Sequence, residues 1–177
     1  MKYEGFELEK KAAYAIADMM VLVAKTAPKG RGLDNVVTLV LDREDKDALS
    51  SEMRKIAKET GADFFERDAG NVDNSHLVVM IGVRDNPTGL SCGLCGFGSC
   101  AEAKKAGSKC AFNITDLGIA IGSAVSVAAD HRIDNRVMFS AGAAASRLKI
   151  FTDDVKICFG IPLSSSSKSV FFDRSAV

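Results

Sequence analysis

Three cysteines fall within nine residues of the stretch GLSCGLCGFGSC, residues 89–100, and a fourth follows at Cys110. The spacing is Cys92-x2-Cys95-x4-Cys100-x9-Cys110. Thiols this close together are a ligand set, a redox pair with spares, or chance. An iron–sulfur cubane needs four thiolates at the corners of a compact cluster, and a short loop can supply three of them while a more distant residue supplies the fourth. Gly93, Gly96 and Gly98 let the backbone pass close to inorganic sulfide and free N–H groups to bond sulfur. Zinc sites more often pair two separated C-x2-C knuckles, and only one is present here. A lone C-x-x-C can also be a thioredoxin-like redox motif, but the strand-before-helix context of that motif is missing and two further cysteines accompany it. The ligand logic favours a [4Fe–4S] cluster, with zinc and free redox-active thiols as the alternatives.

The fifth cysteine, Cys158, lies in the apolar run KICFGI and reads as a buried core thiol. An odd cysteine count argues against a disulfide framework. The opening MKYEGFELEKK has no apolar run and does not read as a secretory signal. The expected setting is the reducing cytoplasm.

Other residues with chemical potential are few. In PKGRG, Lys29 and Arg31 are cations flanked by Gly30 and Gly32, so the backbone can approach an anion closely; the competing reading is a solvated turn. The spacing is not that of a Walker loop. Lys168 and Arg174 can add charge to a phosphate or sit in solvent near the C-terminus. His76 opens an apolar run and His131 closes a helical one; neither belongs to a Ser/His/Asp arrangement. The carboxylates of DREDKD read as a solvated helix start. Lys plus Arg and Asp plus Glu number 23 each, so no global field draws in nucleic acid or an anionic membrane, and Trp is absent.

The elements that must position these residues follow from periodicity. Residues 7–26 predict a helix, broken by APKGRG. NVVTLVL (35–41) predicts a buried strand. Residues 45–59 predict a helix ending at Gly61, with Leu49, Met53, Ile56 and Ala57 on one face. Residues 62–75 read as a short strand or an irregular crossing, and 76–83 as a second buried strand. The cysteine segment follows the turn residues RDNPTG. Residues 113–132 predict a helix apolar nearly all round, capped by Asn113, Thr115 or Asp116. NRVMF reads as a short extended piece, 141–149 as a small-residue helix and 155–163 as a third buried strand. The apolar stretches 12–24 and 117–129 are each shorter than the roughly 20 residues of a membrane span and read as buried helices. Gly118 and Gly122 permit close helix approach, as packing or as a dimer seam. The expected architecture is α+β, a layered α/β domain with a helix-covered sheet, in one unit of 177 residues carrying a cysteine-rich insert at 84–112.

The residues also resemble known families. CGLCGFGSC resembles the ligand loops of ferredoxin-like domains in corrinoid iron–sulfur proteins, which bind one [4Fe–4S] cluster. With TAPKGRGLDN, GIAIGSAV, DNRVMFSAG and FFDR, the chain resembles, over nearly its full length, a family of uncharacterised ferredoxin-domain proteins. That resemblance implies the cluster, on Cys92, Cys95, Cys100 and Cys110. A fainter one is to nitroreductase-like flavoproteins: MVLVAKTAPKGRGLDNVVTLVL is similar to their helix, A-P-S-G-x-x-N loop and strand, with Ala27, Pro28, Gly30 and Asn35 as the matches. DLGIAIGSAVSVAAD is similar to their central helix and VKICFGIPL to their last strand. This implies a homodimer binding FMN at its interface, with Lys29, Gly30, Arg31 and Asn35 nearest the cofactor. The function expected is iron–sulfur electron transfer, in or alongside an FMN-dependent oxidoreductase, with a redox protein or a small acceptor as partner. The alternative is a binding or regulatory module built on a zinc staple or a redox-sensing site.

Overall fold

The computed structural model describes residues 1–172. Its centre is a four-stranded sheet with β1 at Val36–Leu41, β2 at Leu77–Arg84, β3 at Asp134–Asn135 and β4 at Val155–Ser164. The strand order is β1-β2-β4-β3, and every neighbouring pair is antiparallel. Register pairs Val36 with Val83 across β1 and β2, and Met80 with Gly160 across β2 and β4.

Alternation along the strands feeds two apolar layers. Leu77, Val79, Ile81 and Val83 of β2, with Ile161 and Leu163 of β4, face α1 (Gly5–Thr26) and α5 (Ala111–Asp130). Val78, Met80 and Cys158 face the other side, against α2 (Arg43–Thr60), α3 (Asp63–Asp73) and α6 (Phe139–Arg147). β1 departs from expectation. It is an edge strand, and Leu39 and Val40 are each 37% exposed, because β2 covers only one side of it.

The helices follow their sequence signals closely. α1 buries Ala13, Ile16, Ala17, Met20 and Ala24 at spacings of three and four. α2 carries Glu44 and Asp45 in its first turn and ends at Gly61, whose left-handed backbone (φ 69°) lets its N–H reach the Ala57 carbonyl at 2.9 Å. Residues 62–75, expected to be extended or irregular, instead form α3. Phe65, Ala69 and Val72 make one buried face packed with α2, and that burial outweighs the β preference of Phe64–Phe65 and the break expected of Gly70.

α5 is long and apolar enough, by length and composition, to cross a membrane, yet only a third of its apolar window is buried. Leu117, Ala120, Ala124 and Ala128 pack on α1 and the sheet, while Ile114 and Ile119 stay exposed, so the helix is less enclosed than its composition predicts. Its cap is Cys110, not Asn113, Thr115 or Asp116, which lie within its first two turns.

On the other face, α6 closes on β4 through glycine. A methyl group on Gly142 would lie 1.8 Å from the Cys158 carbonyl oxygen. Gly160 admits Ala141 in the same way. Cys158 is the buried core thiol expected: its Sγ donates to the Gly142 carbonyl at 3.3 Å, and burial pushes its ionisation up.

Candidate metal centre

The cysteine segment leaves the sheet at the end of β2 and returns at the start of α5. Its neck is closed by three contacts. The Asp85 N–H donates to the Asp154 carbonyl at 2.7 Å, Arg84 pairs with Asp154 at 3.2 Å, and Lys109 pairs with Asp85 at 2.6 Å. Inside the neck three asparagines interlock. Asn35 Nδ2 donates to the Asn86 carbonyl at 3.0 Å, Asn86 Nδ2 donates to Asn35 Oδ1 at 3.2 Å, and Asn113 Nδ2 donates to the carbonyls of Arg84 and Asn86 at 3.1 and 3.0 Å. Asn35 and Asn113 are buried, and these bonds supply the partners that burial demands.

Beyond the neck the chain turns repeatedly. Gly93 and Gly96 hold positive φ values of 74° and 84°, which glycine adopts without strain, and the Gly96 N–H closes a turn on the Gly93 carbonyl at 2.9 Å. Cys92 and Cys95 ride on these turns. Cys100 opens a short helix, α4 (Cys100–Lys105), whose preceding Ser99 accepts the Glu102 N–H through its hydroxyl at 3.2 Å. Ser91 and Cys100 bond each other twice: the Ser91 N–H donates to Cys100 Sγ at 3.3 Å, and the Cys100 N–H donates to Ser91 Oγ at 3.4 Å. This six-residue helix lay outside the sequence reading, although Ser99 three residues before Glu102 was its capping signal.

Cys110 caps the other helix. Its sulfur lies 3.8 Å from the Thr88 hydroxyl. Burial pushes the thiol's ionisation up, but hydrogen bonding to Thr88 and to the first turn of α5 outweighs it and holds the Cys110 thiol below its ordinary value. A thiolate at a helix N-terminus gains further from the helix dipole.

All four thiols line one small recess, together with Thr88, Phe97 and Ala103. Exposure falls from Cys92, which is exposed, through Cys95 and Cys100 to Cys110, which is buried. Among the described residues no three Cys, His, Asp or Glu side chains converge on a single ion. The all-sulfur donor set fits an iron–sulfur cluster, and the Ser91 N–H is already aimed at the Cys100 sulfur.

The other predicted site residues lie beside this recess. Lys29 turns back onto its own helix, and its Nζ donates to the carbonyls of Ala24, Lys25 and Ala27 at 3.1, 2.6 and 2.8 Å. Burial, then repulsion from Lys25, lowers its ionisation, and Asp116 raises it. The Gly30 N–H donates to both carboxylate oxygens of buried Asp116, at 3.0 and 3.1 Å. Arg31 Nη1 donates to the Thr88 carbonyl at 2.7 Å, and Asn35 belongs to the asparagine set. In this arrangement the Gly30 N–H is taken by an internal carboxylate and the Lys29 ammonium by carbonyls of its own segment. The Lys168 backbone accepts from Ser166; Arg174 lies outside the described residues. His76 bonds Ser165 at 2.7 Å, away from the recess, and His131 caps the end of α5. Thr88, Ser91 and Asp116 went unrecognised in the sequence as site residues, because Thr88 read only as part of a turn and Asp116 only as a cap.

Two comparisons decide the lineage. Residues 106–174 match the family described as uncharacterized protein containing a ferredoxin domain, a match that takes in Cys110 and begins after the other three cysteines. An uncharacterized protein of Archaeoglobus fulgidus is 40% identical over 166 residues, which cover 89% of each chain. The chain belongs to this ferredoxin-domain family. The fold of this ferredoxin-domain protein is that of nitroreductases. A nitroreductase with bound FMN from Desulfitobacterium hafniense superposes with a TM-score of 0.61 at 11% identity, covering 87% of this chain and 78% of that one. A nitroreductase family protein from Clostridium novyi gives 0.58 at 15% identity, with 84% and 72% covered. NfrA2 of B. megaterium gives 0.54 at 12% identity, and there this ferredoxin-domain chain, 88% covered, spans only 58% of the neighbour's length.

Proposed function

We propose that this protein is a cytoplasmic iron–sulfur electron carrier in which Cys92, Cys95, Cys100 and Cys110 hold one [4Fe–4S] cluster. The carrying observation is the recess: four thiols around one space, with peptide and hydroxyl donors already directed at two of the sulfurs. Membership of a ferredoxin-domain family supports the same chemistry. A bound cluster supplies one-electron transfer at iron. The chain's own residues do the rest. Cys110, fixed at the head of α5, anchors the site to the core, while the turns at Gly93 and Gly96 carry Cys92 and Cys95 over it. Ser91 and Thr88 direct donors at Cys100 and Cys110. The exposed Cys92 gives a redox protein or a small acceptor a short approach to the site.

The nitroreductase-like fold extends this reading to a flavin-linked oxidoreductase working as a homodimer. Its support is the FMN named for the Desulfitobacterium hafniense neighbour and the open outer face of α5, where Gly118 and Gly122 meet nothing within 4 Å and Ile119 is exposed. FMN would exchange electrons in pairs and pass them singly to the cluster.

Anaerobic purification followed by the visible spectrum and by iron, sulfide and zinc analysis tests the proposal. Brown protein with about four irons and matching sulfide per chain upholds it. Colourless protein with one zinc per chain overturns it in favour of a structural staple. FMN titration tests the flavin half, which fails if added flavin keeps its free spectrum and fluorescence.

A further inference from the structure

The sequence left PKGRG as either an anion-binding loop or a solvated turn. The structure sets this loop beside Cys110. Three of the residues 30–35 tie to groups around that thiol. Arg31 Nη1 donates to the Thr88 carbonyl at 2.7 Å, and the hydroxyl of Thr88, 2% exposed, lies 3.8 Å from Cys110 Sγ. Gly30 lies against Phe112, two residues past Cys110 in the first turn of α5, so closely that a methyl group there would sit 2.9 Å from the ring. Asn35 bonds the Asn86 carbonyl, which Asn113, three residues past Cys110, also bonds. Asp116 ties the loop to α5 directly through the Gly30 N–H.

The loop is shaped for this contact. Arg31 sits in the left-handed region at φ 58°, a conformation unusual for arginine. It reaches Thr88 over Gly89, where a side chain would come within 3.2 Å of the guanidinium and the φ of 74° favours glycine. A non-glycine residue in that region is kept only where its surroundings hold it there. Here the contact that holds it is the one to Thr88.

We infer that Arg31, acting through Thr88, is a positioning residue that sets the reduction potential of the cluster at its Cys110 corner. This rests on the cluster reading above. Reduction adds negative charge that spreads onto the ligand sulfurs, and donors aimed at sulfur stabilise the reduced form more than the oxidised one. Loosening Thr88 lowers the potential without removing a ligand.

The test compares wild type with Thr88→Val, Thr88→Ser, Arg31→Gln and, as a control for charge, Lys25→Gln, whose lysine pairs with Asp34 on the same loop. Each is purified anaerobically, its iron is counted, and its cluster is titrated by dye-mediated redox potentiometry. Thr88→Val and Arg31→Gln are expected to keep their iron and to shift the redox equilibrium by roughly three- to tenfold toward the oxidised form. Tenfold corresponds to about 59 mV for one electron. Thr88→Ser, which keeps the hydroxyl, and Lys25→Gln are expected to match wild type. Equal potentials in all five proteins overturn the inference, as does a shift in Lys25→Gln equal to that in Arg31→Gln. A second measurement needs no cluster. In metal-free protein, hydrogen exchange is expected to quicken several-fold in peptides spanning 86–91 and 110–113 of Arg31→Gln and nowhere in β2 or β4. Unchanged exchange in those peptides also overturns it. Should wild type take up no iron, the cluster reading falls, while the exchange measurement still decides whether Arg31 holds Thr88.

Discussion

Gly142 offers the sharpest test of how α6 meets the sheet. Alanine at this position places a methyl group 1.8 Å from the Cys158 carbonyl oxygen and 2.7 Å from its carbon. The first contact is 1.6 Å short of the 3.4 Å at which ordinary packing begins. Neither partner can yield cheaply. The obstruction is backbone, and it lies in a strand paired with β2 along most of its length. The Gly142 carbonyl also accepts the Cys158 thiol and the Ser146 hydroxyl, so rotating the helix breaks both bonds. Overpacking costs about 1–3 kcal/mol and occasionally more, and this clash belongs at the upper end. Alanine returns about 1 kcal/mol of helix propensity. The expected net loss is about 2 kcal/mol, which for a domain of this size lowers Tm by roughly 4–8 °C. Urea denaturation at matched metal content, with Gly70→Ala as reference, checks this. Gly70 lies in α3 with nothing within 4 Å of its missing methyl, so alanine there should stabilise by up to about 1 kcal/mol. If Gly142→Ala proves as stable as Gly70→Ala, α6 does not rest on β4 as described.

Other expectations follow from the same coordinates. Serine at Cys92, Cys95, Cys100 or Cys110 should deplete bound iron in purified protein, whereas Cys158→Ala, buried against α6, should keep wild-type iron content. Ser140→Ala removes the hydroxyl that donates to buried Asp68 at 2.6 Å, and loss of a bond to a charged group should cost about 1.5–3 kcal/mol by denaturant titration. Burial pushes the Asp73 carboxyl up, but bonds from Arg54 and Ser50 outweigh it and hold its pKa below the usual value. Its contribution is therefore complete above the ordinary carboxylate range and lost as pH falls through the lowered value. Asp73→Asn should be less stable than wild type at pH 7 and should converge with it in acid, and a constant gap across pH would contradict this.

The long periodic segments were legible because burial alone decides them. Ala13, Ile16, Met20 and Ala24 name the inner face of α1, and Leu49, Met53 and Ile56 that of α2. α3 was hidden although Phe65, Ala69 and Val72 repeat at helical spacing, since paired phenylalanines and a glycine favour an extended reading until α2 is there to cover them. The strands could be placed but not oriented: apolar runs such as HLVVMIGV suit parallel and antiparallel sheets alike when both faces are covered, as they are for β2. The cysteines declared themselves by type and spacing. Their surroundings did not. Arg31 lies 57 residues from Thr88 and Gly30 lies 86 from Asp116, and no local pattern reports contacts at that separation.

The closed neck at Asp85 and Lys109 carries one more consequence. A segment that leaves and re-enters the fold within the reach of one ion pair adds little to the chain path between β2 and α5. Replacing residues 86–108 with a short turn should leave the four strands folded, and the same stretch could be spliced into another scaffold of this fold at the matching junction. Its fourth thiol would stay behind in the host, because Cys110 is part of the α5 helix start.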